Sequence, residues 1–486
     1  MTVSTVTFNP ELDSEDSPGS EAFAELDFTD RCINPIRLHG QIDTVDMRTG
    51  QVLATHHTDR DGAVYVACKD RREAVCPSCA TLYRHDTRQL LRSGLAGGKG
   101  VPDTVQQHPA VLLTVTAPSF GIVHSRRTAK SGRVIRCRAR SQARRIDRCK
   151  HGVLLRCEHV HGKDDRRLGQ PFCLDCYDHD AQVVWNAHAA ELWRRTSMTI
   201  RRRLESLADN HEVSVRASYA KVAEDQARGV VHFHVLIRLD GIDPDDPQAI
   251  VPPPPCVDVH ALKDACLEAA ASTAFSTVAH PDSPEGLGWP IRWGNARVDI
   301  IRDGIREVTE DECRRIVGYL AKYATKSTGA SGAVLRRILP AFAFVKRDDG
   351  LRRSPWRYGN IEDYDDPESH RDRLIQACWR IGRARHHSYR ALRRWAHKLG
   401  FRGHFSTRSR CYGTTLGALR RARQTYSRAA SLEILTGVDL DDIAVVSCLH
   451  YADTGWRTTD AAALANSAAA RAREYSDTAT EELSAA

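Results

Sequence analysis

The chain has 486 residues, 41% of them hydrophobic and 27% charged, with a formal net charge of +8, which is enough apolar material for a core and enough length for two to four domains or modules. No apolar run is long enough to cross a bilayer, and the N-terminus is acidic, unlike a signal peptide; both exclude a membrane or secreted protein and point to the cytoplasm. The 15 cysteines then argue for bound metal over disulfides, and the uneven charge, acidic first and basic in two later regions, suits a polyanionic partner better than a membrane surface.

Residues 1–30 are polar and acidic without periodicity, the composition of a disordered segment. Residues 31–106 form a first cysteine-rich module. Cys76-Pro77-Ser78-Cys79 presents two thiolates to one ion, with Cys32 and Cys68 as third and fourth ligands of a structural zinc. A redox role is weaker, since no thioredoxin-like βαβ unit surrounds the pair. The glycine-rich stretch Gly94–Gly100 fails the spacing of a nucleotide-binding loop and reads as a flexible loop, at most touching phosphate.

Residues 107–330 read as the core. A strand at 110–117 carries Val111-Leu112-Leu113-Thr114-Val115-Thr116. An insertion at 125–180 brings Cys149, Cys157, Cys173 and Cys176 as the ligands of a second zinc. His151, His159 and His161 are spare candidates and Cys137 is an outlier. Residues 126–150 are arginine-rich, a phosphate-contact surface or a merely solvated loop. Trp185 to Leu207 has helical periodicity. Val213 to Glu224 reads as a strand returning through a turn at Asp225–Gly229 into the apolar run Val230–Leu239.

On that second strand His232 and His234 point to one face, while Val231, Phe233, Val235 and Ile237 point to the other. With a five-residue turn, Glu224 falls opposite Val230 on the histidine face, and completes an oxygen-and-imidazole site suited to Mg²⁺ or Mn²⁺. A one-residue slip would turn Glu224 away. A proline-rich linker (243–257), a helix (258–274) and a strand (291–302) lead to Thr309–Ser327, where Thr309 and Glu312 form a capping box. In this helix Cys313, Val317, Leu320, Ala321 and Ala324 gather on one side, and Tyr319, Lys322, Tyr323 and Lys326 on the other. The sum is an α+β fold, an antiparallel sheet covered by helices on one side. Residues 331–430 are basic, with Tyr389, Trp395, Phe401, Phe405 and Tyr412 among the arginines of 380–423. They fit either DNA contact or an amphipathic bundle with core aromatics. Residues 431–486 read as helix and frayed tail.

A His-hydrophobic-His strand followed by a helix bearing Tyr-x-x-Lys-Tyr resembles the HUH endonucleases that initiate rolling-circle replication, and the Thr114-Val115-Thr116 strand resembles that family's first motif, with valine for leucine. The stretches GLAGGKGVP, TAPSFG, YAKVAEDQARGVVHFH, YLAKYATKS and LRRWAHKLGFRGHFST resemble the replication initiators of actinobacterial plasmids and integrative conjugative elements. The resemblance implies a ferredoxin-like palm with His232, His234 and Glu224 holding Mg²⁺ or Mn²⁺. It also implies Tyr319 and Tyr323 as nucleophiles that nick one strand to leave a 5′-phosphotyrosine and a 3′-OH primer, with Lys322 offsetting charge beside them. Partners would be origin DNA, single-stranded, supercoiled or cruciform, and a host helicase and polymerase. The alternative is a non-catalytic zinc-containing DNA-binding regulator, which accounts for the cysteines and basic regions but not for paired histidines and tyrosines. A nucleotidyl transferase would want His-x-His-x-His, and Leu236 occupies the third place.

Overall fold

The β-branched runs of the sequence pair into antiparallel sheets in the computed structural model, which describes residues 32–57, 64–73, 75–138, 148–303, 309–325, 369–384, 386–423 and 443–485. The acidic segment 1–30, part of the arginine-rich stretch, Lys326 and all of 331–368 lie outside the described residues. The chain divides into two units, one made of residues 1–90 and 414–486, the other of residues 91–413.

In the first unit, β1 (Ile36–Asp46) turns into β2 (Val52–His57), and the Asp46 carboxylate accepts from the amides of Arg48 and Thr49 at 2.8 and 3.2 Å to close the turn. One edge of β1 takes β2 and then β3 (Val64–Val66). The other edge takes the strand Ile443–Thr454, paired antiparallel from Ile36↔Thr454 to Asp46↔Ile443. This corrects the expectation of a helical tail. The run Ile443-Ala444-Val445-Val446 is strand-forming, and a helix, Thr459–Ala485, follows only after it. Trp456 stacks on Tyr65 with centroids 5.0 Å apart and donates to the Cys32 carbonyl. Helix α1 (Pro77–Ala96) begins with proline at its first position, where no amide hydrogen is missed. It carries Gly94, Leu95 and Ala96, so the first part of the expected glycine loop is helical.

In the second unit β4 (Ala110–Thr116) leads into an insertion containing the short hairpin β5 (Arg127–Thr128) and β6 (Val134–Ile135). Helix α2 (His179–Asp209) follows, N-capped by Asp178, whose carboxylate accepts from Ala181 N. Then come β7 (Val215–Asp225), β8 (Val231–Gly241) and α3 (Val259–Ser272). A small pair, β9 (Ala274–Ser276) and β10 (Pro290–Arg292), precedes β11 (Asn295–Arg302) and α4 (Glu310–Thr325). Helices α5 (His370–Ile381) and α6 (His387–Trp395) and the edge strand β12 (Ser406–Arg408) complete it.

The sheet order is β11-β4-β8-β7-β12, antiparallel throughout. The chain order βαββαβ thus places its last strand beside its first and its first beside its third. One face buries Val111, Leu113, Val115, Phe233, Val235 and Ile237 in a single cluster with Trp185, Leu192 and Ile200 of α2, Leu262 and Ala269 of α3 and Leu374 of α5. Each buried Val, Leu, Ile or Phe side chain contributes about 1.5–3 kcal/mol. The other face is not bare, contrary to the one-sided layering expected. Helix α4 lies against β7 there. Its apolar stripe, Cys313, Val317, Leu320, Ala321 and Ala324, is buried as its periodicity requires.

On that second face the fully buried Arg238 pairs with Asp240 at 2.6 Å and donates to the carbonyls of Gly94, Cys411 and Tyr412. Asp240 also accepts from Ser218 Oγ at 2.6 Å and lies 2.8 Å from His108 Nδ1. Every partner of the buried charge is polar, which is what makes its burial tolerable. A Cβ on Gly94 would stand 2.2 Å from the Tyr412 ring, so only glycine fits there.

Candidate active site and metal-ligand clusters

The β7–β8 ladder sets Glu224 directly across from His232 and Val222 across from His234. This differs by two residues from the register expected, because β7 runs on through Asp225 and the turn is made by residues 226–230. A shift of two preserves the face, so Glu224 still projects with the histidines. Its Oε2 lies 2.6 Å from His232 Nε2 and 3.3 Å from His234 Nε2. The three donor atoms lie within 4.8 Å of one another, and Glu224 and His234 are buried. Two imidazole nitrogens and one carboxylate oxygen converging this closely fit a divalent cation.

Two further residues orient the rings. Thr114, paired with His234 across β4 and β8, puts Oγ1 3.1 Å from His234 Nδ1. If Nδ1 carries the proton and donates to that oxygen, Nε2 is left with its lone pair facing Glu224. The Gln226 amide lies 3.3 Å from His232 Nδ1. The sequence marks Thr114 as part of a motif but does not assign it this contact.

Helix α4 brings its tyrosines to the same place. The rings of Tyr319 and Tyr323 each lie 5.5 Å from the His234 ring and 4.7 Å from each other. The capping box is formed, with Glu312 N donating to Thr309 Oγ1 at 3.2 Å and Thr309 N to Glu312 Oε2 at 3.1 Å. Tyr319 is 46% exposed. Burial holds the half-buried Tyr323 phenol above its usual range, and Tyr319 and the Glu224 carboxylate add to the rise. Lys322 is exposed on α4.

Three clusters of cysteine and histidine accompany this site, each of a kind compatible with zinc. The first gathers Cys32, Cys68, Cys76 and Cys79, the set expected from spacing. Cys32 to Cys76 and Cys68 to Cys79 are each 3.7 Å between sulfurs. The other two regroup the residues expected to form one site. Cys149, Cys173 and Cys176 meet His151, while Cys157 lies with Cys137, His124 and His161. The four cysteines 149, 157, 173 and 176 are therefore not brought together. Cys137, the outlier, is a member of a cluster, and His151 and His161 are members where His159 is not. His124 carried no sequence signal.

The basic C-terminal aromatics differ from a base-stacking surface. Tyr389, Phe401, Phe405 and Tyr412 are buried, the first three in the core shared with the sheet, and only Trp395 is partly open. Among the described residues no helix is long and apolar enough to cross a membrane.

Against known proteins, residues 20–470 match the family model described as "Replication initiator protein, pSAM2". A replication initiator protein of Streptomyces ambofaciens is 36% identical over 439 residues, covering 87% of this chain and 84% of that protein. No solved structure matches.

Proposed function

The chain belongs to the replication initiator family of the pSAM2 type, and we propose that it starts rolling-circle replication of a plasmid or integrative element by nicking one strand at an origin, as an HUH endonuclease. The observation that carries this reading is the meeting of Glu224, His232 and His234 with two tyrosine rings, each 5.5 Å from His234. The βαββαβ order with the histidines on a central strand supports a ferredoxin-like palm.

In this reading Nε2 of His232, Nε2 of His234 and a Glu224 oxygen hold Mg²⁺ or Mn²⁺, which when bound polarises a non-bridging oxygen of the scissile phosphate and offsets the Glu224 charge felt by Tyr323. A tyrosine Oη, having lost its proton, attacks phosphorus. The P–Oη bond forms and the P–O3′ bond breaks, and the departing 3′ oxygen takes up a proton. The products are a 5′-phosphotyrosine and a 3′-OH that a host polymerase can extend after a helicase opens the duplex. One phosphodiester replaces another, so the reverse transfer needs no ATP. With two tyrosines side by side, one can act while the other is occupied, and Lys322 supplies a positive charge on the same helix.

The test is adduct formation between the full chain and a single-stranded origin oligonucleotide with Mn²⁺. Each Tyr→Phe single variant can still cleave once if both tyrosines are competent, and the double variant forms no adduct. An adduct that persists in the double variant, or maps outside α4, sinks the assignment. Absence of any adduct from the unaltered chain favours the non-catalytic regulator.

A further inference from the structure

We infer that the insertion between β4 and α2 is a two-zinc module with interleaved ligands, so that the chain carries three structural zinc ions in all, counting one in the Cys32–Cys79 cluster. One ion is held by His124, Cys137, Cys157 and His161, the other by Cys149, His151, Cys173 and Cys176. Read along the chain, the first and third ligand pairs serve one ion and the second and fourth pairs serve the other.

Geometry supports this at the level of individual edges. Zinc bonds of about 2.0–2.1 Å to nitrogen and about 2.3 Å to sulfur, at tetrahedral angles, set ligand atoms about 3.3 Å apart for two nitrogens and about 3.6 Å apart for nitrogen and sulfur. His124 Nδ1 and His161 Nε2 are 3.3 Å apart. Cys157 Sγ is 3.5 Å from His161 Nε2, and Cys137 Sγ is 4.0 Å from His124 Nδ1. In the second cluster Cys173 and Cys176 stand 3.5 and 3.3 Å from His151 Nδ1. A shared proton would explain the two rings of the first cluster but not two sulfurs aimed at the same point.

The surroundings agree. His161 Nδ1 lies 2.6 Å from the Asp165 carboxylate, which turns Nε2 inward, the arrangement that supports a metal-bound histidine. Arg167 holds that carboxylate in turn, at 2.8 Å. The Ser125 amide donates to Cys137 Sγ at 3.3 Å. The His124 ring stacks on Phe172 at 4.1 Å.

The insertion is anchored in the sheet's core at its two ends, by Phe120 and Tyr177, and its described residues between them bury little apolar surface. Between residues 121 and 176 the buried described residues are Cys137, His161, Gly169 and Cys173, so three of the four are ligands and none is an ordinary apolar core side chain. With so few apolar side chains buried among its described residues, the segment draws little on hydrophobic burial, and metal is the agent its side chains provide for. The backbone reflects the interleaving. Arg138 and Cys157 exchange amide hydrogen bonds at 2.8 and 3.0 Å, and Cys149, at the head of the other ligand set, lies between them in sequence.

The test is native mass spectrometry of the full chain purified without added zinc or chelator. Three zinc ions per chain are expected, and two or fewer overturn the proposal. The ligand assignment is read from His124→Ala and Cys137→Ser, neither of which belongs to a four-cysteine set of Cys149, Cys157, Cys173 and Cys176. Each substitution should lose at least one ion, and retention of three by either overturns the interleaved arrangement. Because the unaltered chain is counted first, a variant that fails to fold leaves the proposal open to refutation.

Discussion

Replacing Thr114 by valine removes one oxygen from the histidine site and leaves strand shape and volume almost unchanged. His234 is 4% exposed, so its Nδ1 has no water to turn to when the hydroxyl 3.1 Å away is lost. A buried N–H left without an acceptor costs about 1–3 kcal/mol. The ring can escape that cost by moving its proton to Nε2, the atom that faces Glu224 at 3.3 Å, and it then loses the lone pair a cation needs. Either way the penalty falls on metal binding, by roughly 5- to 150-fold at about 1.4 kcal/mol per decade, a span that includes the 10- to 100-fold typical of residues supporting a metal ligand. The assay is a Mn²⁺ titration of covalent adduct formation on a single-stranded origin oligonucleotide. Half-saturation should move to higher Mn²⁺ by that factor, while adduct yield at saturating metal and the metal-free melting temperature stay close to the parent's. An unchanged half-saturation point would refute the orienting role of Thr114, and a collapse in melting temperature would show that the threonine serves the fold instead.

Glu224→Ala should abolish adduct formation at Mn²⁺ concentrations that saturate the parent, read on the same gel. Gly169→Val should destabilise the chain in a thermal melt by more than about 1 kcal/mol, since Gly169 has φ of +81° and a Cβ there would stand 2.3 Å from the Ala227 backbone. Lys221 points into the apolar side of the sheet, its Nζ 4.0 Å from the Phe233 ring centroid, and burial pushes its pKa down to about 7. Between about pH 7 and about pH 10.4 the unfolded chain holds a proton there that the folded chain does not, so stability from this group rises with pH across that window and is lowest below it. Lys221→Met should therefore stabilise most near pH 6–7 and progressively less toward pH 10 in denaturant titrations, and a gain independent of pH would contradict the burial argument.

The α+β class and the face assignments were legible in the sequence because they rest on periodicity. His232 and His234 share a face by alternation, and the stripe from Cys313 to Ala324 is buried because 100° steps put it there. The sequence puts Glu224 on the histidine face but opposite Val230 instead of His232, and a difference of two residues in register leaves the face unchanged. The cysteine and histidine groupings of the insertion were not legible. Spacing pairs neighbouring cysteines, as in Cys173-x-x-Cys176, but it carries no information on which distant pair shares their point in space. His124 sits in a coil with no periodic signal at all. The strand Ile443–Thr454 was hidden for a related reason, because its partner β1 lies some four hundred residues earlier and composition near the C-terminus is dominated by the helix that follows.

That long-range pairing imposes an order on synthesis. Residues 91–413 form a unit set into the chain between the two halves of the other unit. At about 5–20 residues per second, roughly 20–80 s separate the emergence of β1 from that of its partner strand Ile443–Thr454. Throughout that interval the nascent chain can finish the unit bearing His232, His234 and the tyrosines while one edge of β1 stands open, a template for mispairing. A chain cut short after Gly413 would carry Glu224, His232, His234 and both tyrosines but leave that edge of β1 uncovered. Pairing of residue 36 with residue 454 is possible only when translation has passed the whole of the inserted unit.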